Sequence, residues 1–362
     1  MKRMLIGISF FLAMAVSAFA QGSDLTPLAV IKLDKQETIT LKQLRSRVEF
    51  LKIETGVEKL TVDQKKQVLD SLISEKLVVQ AAAKEGITIS DSDVNAAFLS
   101  TFSQQIGQQV TEAQLSDFIQ RQMGKTLAEY IKDRTNMTLA EYKEYLRNQL
   151  IAQRYVFAKT QDSLRQVAAT DSEIRQAYEM NRAQFVWSDM MKLFLVVVPK
   201  GSDATAAKTT AQDLLTQYKE GGAGSELKIR SSMDNGKKYQ ADYLIIQKSS
   251  EMAQRLGWTY DKLIELFSRN KGYVGELSVT DRDYQFYVVI DKYAAKMLEL
   301  SDIVEPDSTV TVYDFIKQRL TAQKQSQFLS TSAQELAKGL DTKANVDRKK
   351  SGASLDKILE NW

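Results

Sequence analysis

The chain has 362 residues, with 49 Lys and Arg against 46 Asp and Glu for a formal net charge of +3, and it contains neither histidine nor cysteine. Those two absences exclude Ser-His-Asp and Cys-His catalysis, disulfide bonding and the two commonest zinc ligands. The charges are interspersed and nearly balanced, which argues against a nucleic-acid binder; the one basic run, Arg348-Lys349-Lys350, sits in a polar tail.

Lys2 and Arg3 precede an apolar stretch from Leu5 to Val16, and Ala18-Phe19-Ala20 supplies a small-x-small pattern. Cleavage after Ala20 is expected, which makes residues 1–20 a signal peptide and the chain an exported one. The stretch is shorter than the roughly 20 apolar residues of a membrane span, and no later segment reaches that length. No cysteine follows it to carry a lipid. An exported chain of this size without disulfides is held by burial, and it is long enough for two or three domains.

Prolines occur only at Pro27, Pro199 and Pro306 and punctuate the chain. Ala29–Leu33 and Thr38-Ile39 predict a hairpin. Thr40 then opens a helix bearing Leu41, Leu44, Val48 and Leu51. Thr61-Val62-Asp63-Gln64 is a capping box for a longer helix that Gly86 ends, and Ser90 starts the next. Thr126-Leu127-Ala128-Glu129-Tyr130 recurs as Thr138-Leu139-Ala140-Glu141-Tyr142, two helix starts built alike. Thr170 caps a helix with Ile174 and Tyr178.

The composition then changes. Met191–Val198 is an apolar, β-branched run of buried-strand length. A helix over 204–218, a loop at Gly221–Gly224, a turn at Asp234-Asn235-Gly236, a strand at Tyr243–Ile246, a short helix with Leu263, Leu266 and Phe267, and a strand at Phe286–Ile290 follow. After Pro306, Phe315, Ile316, Leu320, Phe328 and Leu329 mark a long helix expected to dock on the N-terminal helices. Residues 341–353 read as loose, with Ser354 capping a last helix. The fold class is mainly α with an α+β insert.

This order, with Gln67–Leu77, Ala81–Asp91, Met137–Tyr142 and Asp171–Ile174 followed by Tyr178, Asn181 and Phe185, resembles the SurA- and PrsA-type periplasmic chaperones. The resemblance implies a helical N-terminal chaperone domain over 21–170, a degenerate parvulin-like module over 171–300 and a C-terminal helical segment, 301–362, completing the first domain. Val274-Gly275-Glu276-Leu277-Ser278 is similar to the segment before the module's last strand. Where the family carries its two histidines, this chain has Phe194 and Tyr287; the groove phenylalanine is Leu263. An imidazole's paired donor and acceptor roles are not supplied by these residues, so no catalytic residue is assigned and strong isomerase activity is not expected. An apolar peptide-binding surface lined by Phe194, Leu263, Phe267 and Tyr287 is the alternative to their being ordinary core.

Other chemistry finds no footing. Three Ser-x-x-Lys strings (at Ser225, Ser268 and Ser354) start no nucleophile elbow, Asp91-x-Asp93 and Asp281-x-Asp283 lack a calcium loop's further ligands, and there is no phosphate loop. No cofactor or metal is expected. The reading is an ATP-independent periplasmic chaperone for unfolded exported polypeptides, including by resemblance outer-membrane protein precursors. An active prolyl isomerase with a non-standard site and a single-partner assembly scaffold stand as alternatives.

Overall fold

The computed structural model describes residues 24–231 and 239–362, so the expected signal peptide and the Asp234-Asn235-Gly236 turn lie outside the described residues. The described chain is mainly helical, with one α+β module and three small sheets. It divides into two units: the chain up to Val167 joined by Lys324–Trp362, and Ala168–Gln323.

Unit one starts with the hairpin, β1 (Pro27–Ile31) antiparallel to β2 (Glu37–Thr40). Thr40 then caps α1 (Leu41–Thr55): its hydroxyl accepts the Gln43 N–H, and its own N–H donates to Gln43 Oε1 at 2.9 Å. The same reciprocal box opens α2 (Val62–Lys84), α3 (Asp91–Ile106), α4 (Glu112–Met123), α5 (Leu127–Thr135) and α6 (Leu139–Gln166). Each box satisfies N–H groups that a helix start leaves without partners. Gly86, at φ 73°, turns the chain off the end of α2. Leu44, Val48, Leu69, Ile73 and Leu77 bury their side chains with the hairpin's Leu28 and Ile31. A second core joins the later helices through Phe98, Phe102, Leu115, Ile119, Leu127 and Ile131.

Unit two opens with α7 (Asp171–Asn181), capped by Thr170. Then come β3 (Val186–Trp187), β4 (Met190–Pro199), α8 (Ala204–Gly221), α9 (Gly224–Ser231), β5 (Gln240–Gln247), α10 (Ser250–Arg255), α11 (Tyr260–Ser268), β6 (Ser278–Val279), β7 (Asp283–Tyr293) and β8 (Lys296–Met297). The main sheet is antiparallel in the order β5-β4-β7-β6, while β3 and β8 form a separate ribbon. The run in β4 is apolar apart from Lys192 because both faces are covered: α8 and α9 pack on one, α10 and α11 on the other. The residues read as a loop at 221–224 instead end one helix and begin the next.

The helix after Pro306, α12 (Val312–Leu340), divides its packing. Its first turns place Val312 and Ile316 against Ile174, Tyr178 and Leu298 in unit two, where the Tyr178 hydroxyl donates to the Leu298 carbonyl at 2.9 Å. Its last turns place Leu336, Ala337 and Leu340 against Val78, Ala82 and Tyr155 in unit one. Only that second half docks where the sequence suggested. The tail read as loose contains β9 (Val346–Arg348), which pairs with β1 to give the sheet order β2-β1-β9. The last helix, α13 (Gly352–Glu360), starts after Ser351 rather than Ser354 and sends Leu355 and Leu359 into the first core. Lys65, nearly buried, fastens it by donating to the Leu359 carbonyl at 2.8 Å and to the Trp362 carbonyl.

Candidate functional site

The four residues expected to line one groove fall on two faces of the main sheet. Successive side chains of a strand point to opposite faces. Phe194, 0% exposed, lies with Val196, Val198, Phe286 and Val288 on the α8 face. Tyr287 lies with Leu193 and Val289 on the α11 face, where Leu263 and Phe267 also pack. The structure therefore brings Leu263, Phe267 and Tyr287 together and excludes Phe194. Register is the reason: Phe194 pairs with Val288 and Tyr287 with Leu195, and an offset of one residue inverts the face. Leu263 is itself 0% exposed and serves as core; Phe267 and Tyr287 are half-buried.

Around Tyr287 the cleft is aromatic. The Trp258 ring centroid lies 5.5 Å away and that of Tyr273 6.3 Å. Gly275 rests on the Tyr287 ring, where a Cβ would stand 2.8 Å from Cζ, and its N–H donates to the Tyr287 carbonyl at 2.8 Å. This contact gives the Val274–Ser278 motif its glycine. Lys262 of α11 sits over Trp258, 4.9 Å from the centroid, and donates to Ser278 Oγ at 2.8 Å. Arg269 sits over Tyr273 at 4.7 Å. Burial pushes the Lys262 ammonium down and, with Tyr273 adding to it, pushes the Tyr287 phenol up. A phenol so raised is neutral near pH 7 and takes no proton from a substrate. The cleft offers aromatic faces, a hydroxyl and one ammonium, which suits binding of a chain better than proton transfer.

The opposite face holds a polar cluster that the sequence did not announce. Phe194 stacks on Tyr218 at 6.0 Å and lies 5.6 Å from Tyr243. The Tyr218 hydroxyl donates to Glu226 Oε1 at 2.9 Å and that of Tyr243 to Oε2, so the buried Glu226 carboxylate has two donors. The Glu226 hydrogen bond and burial raise the Tyr243 phenol to about 12; burial, followed by Glu226, raises Tyr218 further. Glu226 escaped notice because it lies just past the Gly-rich stretch, in a helix too short to show periodicity.

Unit one carries open grooves on its middle helices. One, of about 690 Å³, has Ala96, Leu99 and Val110 among its walls, with Ser100, Ser103, Gln104, Gln108 and Gln109 around them. A second, of about 300 Å³, adjoins it through Gln108 and Val110 and adds Ile106, Gln114 and Phe118. Phe118 is 41% exposed. The two charged residues lining them, Asp117 and Arg121, pair with each other at 3.7 Å. Where the first and last helical regions of this unit meet, packing closes the surface, with Val78, Ala82, Tyr155 and Ala337 all buried. Among the described residues no cluster of acidic side chains could hold a metal ion, and no helix is long and apolar enough to cross a membrane.

No family model and no curated protein sequence matches the chain. Among solved structures it is similar to a SurA-like chaperone of Campylobacter jejuni, from the pair PEB4 and Cj1289, at 13% identity over 90% of this chain and 100% of that one, with a TM-score of 0.33. It is similar to PrsA from Bacillus subtilis at 15% identity over 93% and 99% of the two chains, TM-score 0.27. The foldase protein PrsA from Streptococcus pneumoniae matches at 14% identity over 89% and 95%, TM-score 0.27. These solved structures are a SurA-like chaperone and PrsA proteins.

Proposed function

We propose that this protein is an ATP-independent chaperone of exported polypeptides, acting in the periplasm, with an isomerase-like module that binds rather than catalyses. The observation that carries the reading is the pair of adjoining grooves on the middle helices of unit one. Their walls combine apolar side chains with amides and hydroxyls, and their two charges cancel. An extended apolar segment gains burial from such a wall, while the glutamine and serine side chains supply donors and acceptors to its backbone. Affinity remains moderate because the incoming chain loses conformational freedom on docking. No nucleotide drives release in this scheme; a client leaves when its own folding buries the docked segment.

The test is aggregation of a denatured client, with unfolded outer-membrane protein as one substrate, in the presence of stoichiometric protein and no nucleotide. Suppression is expected, and Phe118→Ser, at an exposed position, is expected to weaken it several-fold. No suppression by the unaltered protein would overturn the reading. In a proline-limited refolding assay no acceleration is expected; acceleration abolished by Tyr287→Ala would establish the isomerase instead. Recovery of one stoichiometric partner in place of many clients would favour an assembly scaffold.

A further inference from the structure

We infer that the Tyr287 cleft is a second binding site, distinct from the unit-one grooves, for extended polypeptide carrying an Asp or Glu side chain, and that Lys262 reads the carboxylate. Lys262 is half-buried, and among the described residues its polar partner is the uncharged Ser278 Oγ, with the Trp258 ring beside it. Among the described residues no carboxylate forms an ion pair with it, and the charge of Glu265 offsets only part of the effect of burial. Glu265, on the same helix, is joined to Arg269; Asp283 accepts from Thr280 at 2.7 Å and Gln285 at 3.2 Å; Asp291 is held by Lys271 at 3.1 Å. The half-buried lysines Lys76, Lys143 and Lys192 are different, with carboxylates at 2.6, 2.9 and 2.7 Å.

A cation withdrawn from water without a counter-ion is costly. The cost is recovered if a ligand brings the missing charge. A carboxylate placed beside Lys262 Nζ and Ser278 Oγ takes charge-assisted hydrogen bonds from both. The half-buried rings of Phe267, Tyr273 and Tyr287 in the same cleft give apolar surface to the flanking residues of such a segment. Burial lowers the lysine's proton affinity, and an arriving carboxylate restores it.

The experiment uses the full chain and two labelled peptides with acetylated and amidated ends, alike except for a central Glu or Gln between apolar residues, followed by fluorescence anisotropy. The Glu peptide is expected to bind about tenfold tighter. Lys262→Met should abolish that difference, Lys262→Arg should keep it, and added salt should shrink it in the unaltered protein. If Lys262→Met fails to fold, Lys262→Arg and the salt series still decide. Phe118→Ser should leave the difference intact, which separates this site from the unit-one grooves. Equal affinities, absence of binding, a preference that survives Lys262→Met, or attachment to anionic lipid vesicles without peptide discrimination would each overturn the proposal.

Discussion

Gly275 and Tyr287 are one contact seen from two residues. With no space for a Cβ over the ring, Gly275→Ala must move either the 272–275 segment or the tyrosine. A loss of about 1–3 kcal/mol is expected, measured by urea unfolding. Combining it with Tyr287→Leu should cost less than the sum of the two single changes, since neighbours in contact do not add. On the other face, Tyr243 should ionise only near pH 12, against roughly 10 for a free phenol. Its folded pKa is raised, so its contribution to stability is present below pH about 10 and is lost as pH rises toward about 12. An ultraviolet tyrosinate titration should show a late phase that Tyr243→Phe makes smaller by one tyrosinate.

The helices of this protein are opened by side chains more than by propensity. At Thr138 the hydroxyl accepts the Glu141 N–H, and the Glu141 carboxylate accepts the Thr138 N–H at 2.8 Å. The Thr138 N–H and hydroxyl, both donating to that carboxylate, hold the Glu141 carboxyl below its usual range. Thr138→Ala should cost about 1 kcal/mol, read as a lower denaturant midpoint. The strand β9 works differently, through a single apolar residue. Val346 is buried in the first core opposite Ile31, while Asp347 and Arg348 remain on the surface with ionic partners. Val346→Asp would bury an unpaired carboxylate and should destabilise by about 2–4 kcal/mol, measured by thermal melting and chemical unfolding.

At the scale of the molecule, two kinds of surface are proposed to hold a chain: grooves without net charge in unit one and a cationic aromatic cleft in unit two. Their responses to salt should differ. Suppression of client aggregation through the grooves rests on apolar burial and should persist at high ionic strength, whereas discrimination for Glu over Gln at Lys262 should fade. Aggregation assays and peptide titrations run across one salt series check both. Adding nucleotide should change neither.

Local chemistry is what the sequence determined by itself. Capping boxes at Thr61, Thr138 and Thr170 and the apolar run in β4 were legible because they depend on residues a few positions apart. Leu263, Phe267 and Tyr287 were grouped, together with Phe194, through the family resemblance; that the three share one face of the sheet follows from strand pairing. What only the tertiary structure decided depends on pairing between distant segments. Phe194 lies on the far face of the sheet because of a one-residue register that no local pattern records. Val346–Arg348 is a strand because β1 has a free edge to receive it. The divided packing of α12, the Tyr218–Glu226–Tyr243 cluster and the Lys262–Ser278 pair all arise where the folded chain brings together residues whose sequence spacing carries no periodic signal.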